Sequence, residues 1–314
     1  MWHCGKTTPA YSRAMSDHLG AWSGPEVREQ CHDAWLKYRA KKTSSYRRYF
    51  EANAHLRATD HAFKARDLEA ALPHGQAELG DLLPASERHQ HHLSGNSSQV
   101  LALALLGTAA RRDPSLGWLW DVFPTMPPAR SGAPANRFEH KLPADLLNEH
   151  PRQTSIDFWV DDPNVALCVE CKWVEEGLGV CGCSSPLTAN CSAKVLDRPA
   201  YWNAAYDVFH LPQRQIGSPC PLSFTYQAVR NVAAALALAT AGQQAAFGLI
   251  YDATNPYFAG CGTWPGWPKA LHATLNDSGS PVTFVSASWQ ELLSGLPLDA
   301  ATTEWAASKH NLIR

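Results

Sequence analysis

Apolar and polar residues alternate most sharply between Ser155 and Glu176. Ile156, Phe158 and Val160 alternate with Asp157 and Trp159. After Asp161-Asp162-Pro163-Asn164, the residues Val165, Leu167, Val169 and Cys171 alternate with Ala166, Cys168, Glu170 and Lys172. A period of two on both sides of a turn-forming tetrapeptide predicts a β-hairpin. Pairing Val160 with Val165 also pairs Phe158 with Leu167 and Ile156 with Val169, which gives one continuous apolar face. That register sets Asp157 opposite Cys168, with Glu170 its diagonal neighbour on the other face, roughly 7–8 Å away. Lys172 follows on that face, because strand side chains repeat every two residues. A one-residue slip would turn Asp157 to the wrong side of the sheet.

Elsewhere the period lengthens. Ser23-Gly24-Pro25-Glu26 reads as a helix start, with Pro25 in the first turn. The predicted helix runs to about Ala40 and buries Val27, Cys31, Trp35 and Tyr38; a second spans Ser44 to Arg57 and a third about His61 to Leu72. Gly95-Asn96-Ser97-Ser98 caps a helix from Gln99 to about Arg111, apolar over most of its circumference and therefore buried. Gln99, in its first turn, is either a surface amide or a site-facing one. Residues 118–135 and 260–268 read as aromatic, proline-rich loops, and Arg137–Leu142 as a short strand. A short aromatic helix follows at Tyr201–Phe209, then a long one from Ser223 or Phe224 to about Ala241 and a buried strand at Ala245–Asp252. A last strand at Pro281–Ser288 leads into a helix from Trp289 and another from about Ala300 to His310. The order α-β-β-β-α-β, with a further strand and helix, predicts an α/β layered core. Residues 1–92 form an N-terminal helical region in this reading, and residues 93–314 the layered domain.

At 314 residues the chain can bury a substantial core, and its formal charge of −2 gives no global sign of a polyanionic partner. The charge is uneven, however. Between Pro25 and Arg66 ten Lys or Arg face five acids, which suits either a phosphate-contacting surface or a solvated helical face. Nine cysteines, an odd number without a regular framework, point to reduced thiols. The N-terminus lacks an apolar signal core, and Val232–Ala241 is too short to span a bilayer, so a cytoplasmic protein with no membrane partner is expected. Cys181, Cys183, Cys191 and Cys220 invite a structural Zn²⁺ or an Fe–S cluster, although their spacing matches no common zinc module. Arg88-His89-Gln90-His91-His92 has no partner at zinc-finger spacing and reads as a polar loop.

Asp157, twelve intervening residues, then Glu170-x-Lys172 resembles the active-site signature of the PD-(D/E)XK nuclease superfamily, the restriction-endonuclease-like fold. Helix 99–111, the strands at 137–142, 155–160 and 165–173, and the helix and strand at 224–241 and 245–252 resemble that family's core elements in order. Tyr226-Gln227-Ala228-Val229-Arg230-Asn231 is similar to a site-facing patch in some bacterial restriction endonucleases. One departure is Ile156, which stands where the motif's proline would be; that proline carries no metal. The resemblance covers about residues 93–290. It implies metal-dependent hydrolysis of DNA phosphodiester bonds, in restriction or phage defence, with Mg²⁺ (or Mn²⁺) held by Asp157, Glu170 and the backbone carbonyl of Cys171. It also implies Lys172 beside the attacking water, Gln227 or Arg230 facing the phosphate, and a homodimer for cutting both strands. Glu139, in a second acid-x-lysine at Glu139-His140-Lys141, is expected as an auxiliary acid on the neighbouring strand. Two other readings stay open: a nucleic-acid-binding module without catalysis, and a cysteine-rich metal-binding structural protein.

Overall fold

Helix α1 (Gly24–Ala52) runs 29 residues without a break in a computed structural model that describes residues 19, 22–127, 133–149, 153–179, 199–213, 215, 217–218 and 220–312. The Ser23 side chain caps it by accepting from the Glu26 N–H at 3.2 Å, and Pro25 occupies the first turn, as expected. The expected break near Thr43 is absent. Ser44 and Ser45 donate back to the carbonyls of Ala40 and Lys41, so their hydroxyls are spent inside the helix and do not end it. The expected third helix is also replaced. Residues 57–65 form a two-stranded ribbon, β1 (Arg57–Ala58) with β2 (His61–Ala65), and helix α2 covers only Leu68–Ala71. Long-range pairing decides this: the Ala65 N–H donates to the Leu93 carbonyl at 2.9 Å, and the Gly95 N–H to that of Phe63 at 2.7 Å. Such pairing overrides local helix propensity.

The remaining elements are α3 (Ser98–Arg112), α4 (Gly117–Val122), β3 (Ala135–Lys141), β4 (Ser155–Asp162) and β5 (Val165–Cys171). They continue with α5 (Pro199–Asn203), α6 (Tyr226–Leu238), β6 (Gln244–Tyr251), α7 (Pro256–Ala259), α8 (Trp267–Leu275), β7 (Val282–Ser288), α9 (Trp289–Gly295) and α10 (Ala300–His310). Helix α4 falls where a loop was expected, and α8 begins at the last two residues of the expected 260–268 loop. In α8 Pro268, the last residue of that expected loop, sits in the first turn, where its missing N–H costs nothing. At α4 the Asp113 carboxylate accepts the Gly117 N–H at 2.9 Å and so starts the helix.

Strands β3 to β7 form one sheet in sequence order, antiparallel from β3 to β5 and parallel from β5 to β7. The chain therefore has the α/β restriction-endonuclease-like core that the motif order implied. Helix α3 packs on β4 and β5, α6 on β5 and β6, and all seven residues of β5 are buried. The hairpin register differs from expectation by two residues. Asp162 pairs with Val165, Val160 with Leu167 and Phe158 with Val169. The Asp162 side chain accepts the Asn164 N–H at 2.8 Å, which closes a two-residue turn. Gln243, just before β6, donates to the Asp161 carboxylate at 2.7 Å and to the Asp162 carbonyl at 2.9 Å, so both acids stay in the strand.

Helix α1 lies against the strand ends. The Trp35 indole donates to the Val174 carbonyl at 2.9 Å, and Tyr38 reaches both the Trp173 carbonyl and Asp252. No described helix is long and apolar enough to cross a membrane. Helix α10 brings a lysine into the interior: the Lys309 amine donates to the Ala71 carbonyl at 2.8 Å and is only 1% exposed. Burial pushes its pKa down to about 7, with the rings of Trp305 and Phe50 returning part of that cost. Between about pH 7 and the ordinary lysine range near 10.4 the unfolded chain binds more protons than the folded one, so stability rises with pH. Lys309→Met is expected to flatten that rise, read as the difference in urea midpoint between about pH 7 and about pH 9.

Candidate active site

Continuing the β4–β5 register by one pair beyond Phe158 and Val169 sets Asp157 directly opposite Glu170. On the other side, Phe138 pairs with Phe158 and His140 with Ile156, which sets Glu139 opposite Asp157. Three carboxylates thus stand in one row across three neighbouring strands. The two-residue shift kept every side chain on its face and turned the expected diagonal into a straight line. Like charges directly opposite each other destabilise a sheet, so this row needs counter-charge.

Each acid is held differently. Glu139 has φ +47°, a left-handed backbone inside a strand, and both it and Phe138 are buried where alternation would expose one. For a residue with a side chain such a conformation costs on the order of 1 kcal/mol or more and marks a position whose direction matters. Gln99, from the first turn of α3, donates to its Oε1 at 2.7 Å, and the Ser155 hydroxyl to its Oε2 at 2.7 Å. Gln99 is therefore a site-facing residue. Glu170 is gripped on both oxygens, by the Lys172 amine at 2.6 Å on Oε1 and by the Asn231 amide at 2.6 Å on Oε2, with the Arg230 guanidinium 3.6 Å away. Asp157 accepts the Cys171 N–H at 2.7 Å on Oδ2. Its Oδ1 is the one oxygen of the row without a hydrogen-bond partner among the described residues.

The electrostatics follow from this arrangement. Burial raises the Asp157 carboxyl well above the ordinary range, and Glu170 and Glu139 push it further against the pull of Lys172. For Glu170, Lys172 and Arg230 outweigh burial and hold the acid below its ordinary value. Burial pushes the Lys172 amine down, but Glu170, Glu175 and Asp157 outweigh it and keep the amine charged. The Cys171 thiol is pushed up, first by burial and then by the neighbouring acids, so only its backbone carbonyl can serve as a ligand near neutral pH. The Lys172 backbone is fixed as well: its N–H donates to the Ile250 carbonyl at 2.7 Å and its carbonyl accepts from the Trp289 indole at 2.9 Å.

Glu139, Asp157, Glu170, Lys172, Gln227 and Arg230 all line one cavity of about 1850 Å³. Gln227 makes no hydrogen bond to the carboxylate row. Its side chain lies against Gly179, a left-handed residue (φ +69°) where an added Cβ would stand 2.6 Å from the glutamine oxygen. Asn231 is the residue that sequence reasoning passed over within the Tyr226–Asn231 patch; the available signal was a polar side chain at a fully buried position of an Ala- and Val-rich helix. His89 and His91 line the same cavity, with the His89 ring 3.7 Å from Glu139, so the histidine segment forms part of its rim. Cys181, Cys183 and Cys191 lie outside the described residues, and Cys220 is buried beside the cavity. Among the described residues no cluster of three or more His, Cys, Asp or Glu side chains stands ready to hold a metal ion.

Residues 30–309 match the model of a protein family described as Restriction Endonuclease associating with ARP. No curated protein and no solved structure matches the chain.

Proposed function

The chain belongs to this restriction-endonuclease family, and from that premise we propose that it is a PD-(D/E)XK-type, divalent-metal-dependent DNA endonuclease acting in restriction or phage defence. Asp157, Glu170 and Lys172 form its centre in this reading, with Glu139 as auxiliary acid. The observation that carries it is the row of three acids, unbalanced at Asp157 and with a single open oxygen there. Mg²⁺ takes one or two carboxylates and keeps several waters, so Asp157, Glu170 and the Cys171 carbonyl fit it without a larger cluster of side chains. When bound, the ion polarises the scissile phosphate and lowers the pKa of the attacking water; Mn²⁺ would substitute.

The chain's own groups have separate duties. Lys172, held charged by Glu170, orients the water and balances the negative charge that develops on the phosphate. Arg230 and Asn231 fix Glu170 from α6. Gln99 and Ser155 fix Glu139, whose charge adds to that of Asp157. Cutting both strands with one row per chain makes a homodimer the expected working unit.

Asp157→Asn tests this with opposite signs in two readouts. The amide oxygen keeps the Cys171 hydrogen bond but carries no charge. A carboxyl whose pKa is raised on folding costs stability above its unfolded pKa, and that cost is complete above its folded one. The metal-free variant should therefore melt higher than wild type near neutral pH, while Mg²⁺-dependent cleavage and the Mg²⁺-induced rise in Tm both disappear. A lower metal-free Tm, or a retained Mg²⁺ shift, would sink the assignment.

A further inference from the structure

Between Leu36 and Arg66 the only acids are Glu51 and Asp60, against nine Lys or Arg. Two of these bases have carboxylate partners, Lys42 with Asp252 and Arg66 with Asp67. The other seven, Lys37, Arg39, Lys41, Arg47, Arg48, Arg57 and Lys64, are exposed and have no carboxylate within ion-pair distance among the described residues. Residues 24–36 of α1 differ: their exposed charges are Glu26, Arg28, Glu29 and Asp33, and Arg28 is paired with Glu176. Positive charge is thus concentrated on the second half of α1 and the adjoining ribbon.

Lys37, Lys41, Ser44 and Arg48 follow at intervals of four, three and four residues, one row along the solvent side of α1. The row spans about 17 Å of helix, close to the rise of about five base pairs of duplex. Arg39 lies over Trp35, itself buried, at 5.1 Å and Arg47 over Phe63 at 4.8 Å, so neither ring presents that face to an unpaired base. This surface is continuous with the cavity. Lys64 of the ribbon bridges to Ser94, and Asn96 to Gln99, immediately following, line the cavity that holds the carboxylates.

We infer that the second half of α1 and the β1–β2 ribbon form a docking surface for the phosphate backbone of duplex DNA, outside the cavity and leading up to it. The choice of DNA rests on the nuclease reading; the choice of a duplex polyanion rests on the surface itself. Its contribution is electrostatic, so it supplies affinity and not sequence selection.

The test uses the full chain carrying Asp157→Asn as the binding protein, and a second version with Lys37→Glu, Lys41→Glu and Arg48→Glu added. Glutamate is a good helix former, so α1 should persist and the Tm stay unchanged. Anisotropy titrations of a labelled duplex over a salt series should show at least about a tenfold rise in Kd. The salt slope should shrink by roughly 3, at about 0.9 for each phosphate no longer neutralised. In the otherwise wild-type chain the same three substitutions should raise KM and leave kcat at saturating DNA unchanged. An unchanged Kd and slope, tighter binding of single strands than of duplex, or a fall in kcat would each overturn the proposal. Should the parent bind duplex through these residues while the wild-type chain, with Asp157 in place, cuts nothing, the docking surface stands and the nuclease reading falls. Should the wild-type chain cut normally and the three reversals leave Kd and KM unchanged, the surface falls and the nuclease reading stands.

Discussion

Lys172→Ala will lose metal-dependent DNA cleavage by a factor on the order of 10³ or more in kcat, while the protein keeps its fold and its Mg²⁺-induced rise in Tm. The size follows from what is removed. A preorganised donor beside developing charge in a water-poor site contributes about 10²–10³, and Lys172 is also the nearest cation to Glu170. Glu170 keeps Asn231 and Arg230 after the substitution, which is why the strand should hold. Removing the amine also frees the Glu170 Oε1, so the metal should bind at least as well as before. This split separates a role in chemistry from one in architecture. Loss of both cleavage and the Mg²⁺ shift would place Lys172 in metal binding, and undiminished cleavage would remove it from the mechanism.

Asp252→Asn should destabilise the protein by about 3–5 kcal/mol, the usual cost of orphaning one member of a buried ion pair. The Lys42 amine sits 2.5 Å from Asp252 Oδ2 and is 3% exposed. Thr254 and Gln290 fill Oδ1, so the carboxylate is saturated. Burial pushes the Asp252 carboxyl up, but Lys42 and Thr254 outweigh it and hold its pKa below the ordinary value. Its stabilising share is therefore present above the unfolded carboxyl pKa and is lost as pH falls through the folded one. Adding Lys42→Met should recover most of the loss, because an apolar side chain leaves no charge to satisfy. Urea midpoints of the single and double variants decide it: a double variant no more stable than Asp252→Asn would show that the pair is not the source of the cost.

The hairpin was legible because alternation and chemistry both fix the face on which Asp157, Glu170 and Lys172 lie. The face tolerates a shift of two residues, so alternation could not set the register; Asp162 and Gln243 set it, through one side chain at the turn and one that reaches across from just before β6. Helix α3 was legible from its apolar circumference, whereas the role of Gln99 depended on Glu139 lying 40 residues away in sequence. The continuity of α1 was hidden for a similar reason. Lys42 looks like part of a polar break at Lys41-Lys42-Thr43-Ser44, and only Asp252 makes that position an interior one. Glu139 was legible as an acid on the neighbouring strand. Its left-handed backbone was not, because no local residue demands it.

The Lys42–Asp252 pair also imposes an order of events during synthesis. Lys42 leaves the ribosome long before Asp252, and at ordinary elongation rates the interval is roughly 10 to 40 s. The segment just after β5, which receives Trp35 and Tyr38, is made part-way through that interval, but Lys42 has no counter-charge until Asp252 follows. Helix α1 is thus made well before the last of the groups that fix it. Until residue 252 is made, α1 is an amphipathic segment whose interior lysine has no counter-charge.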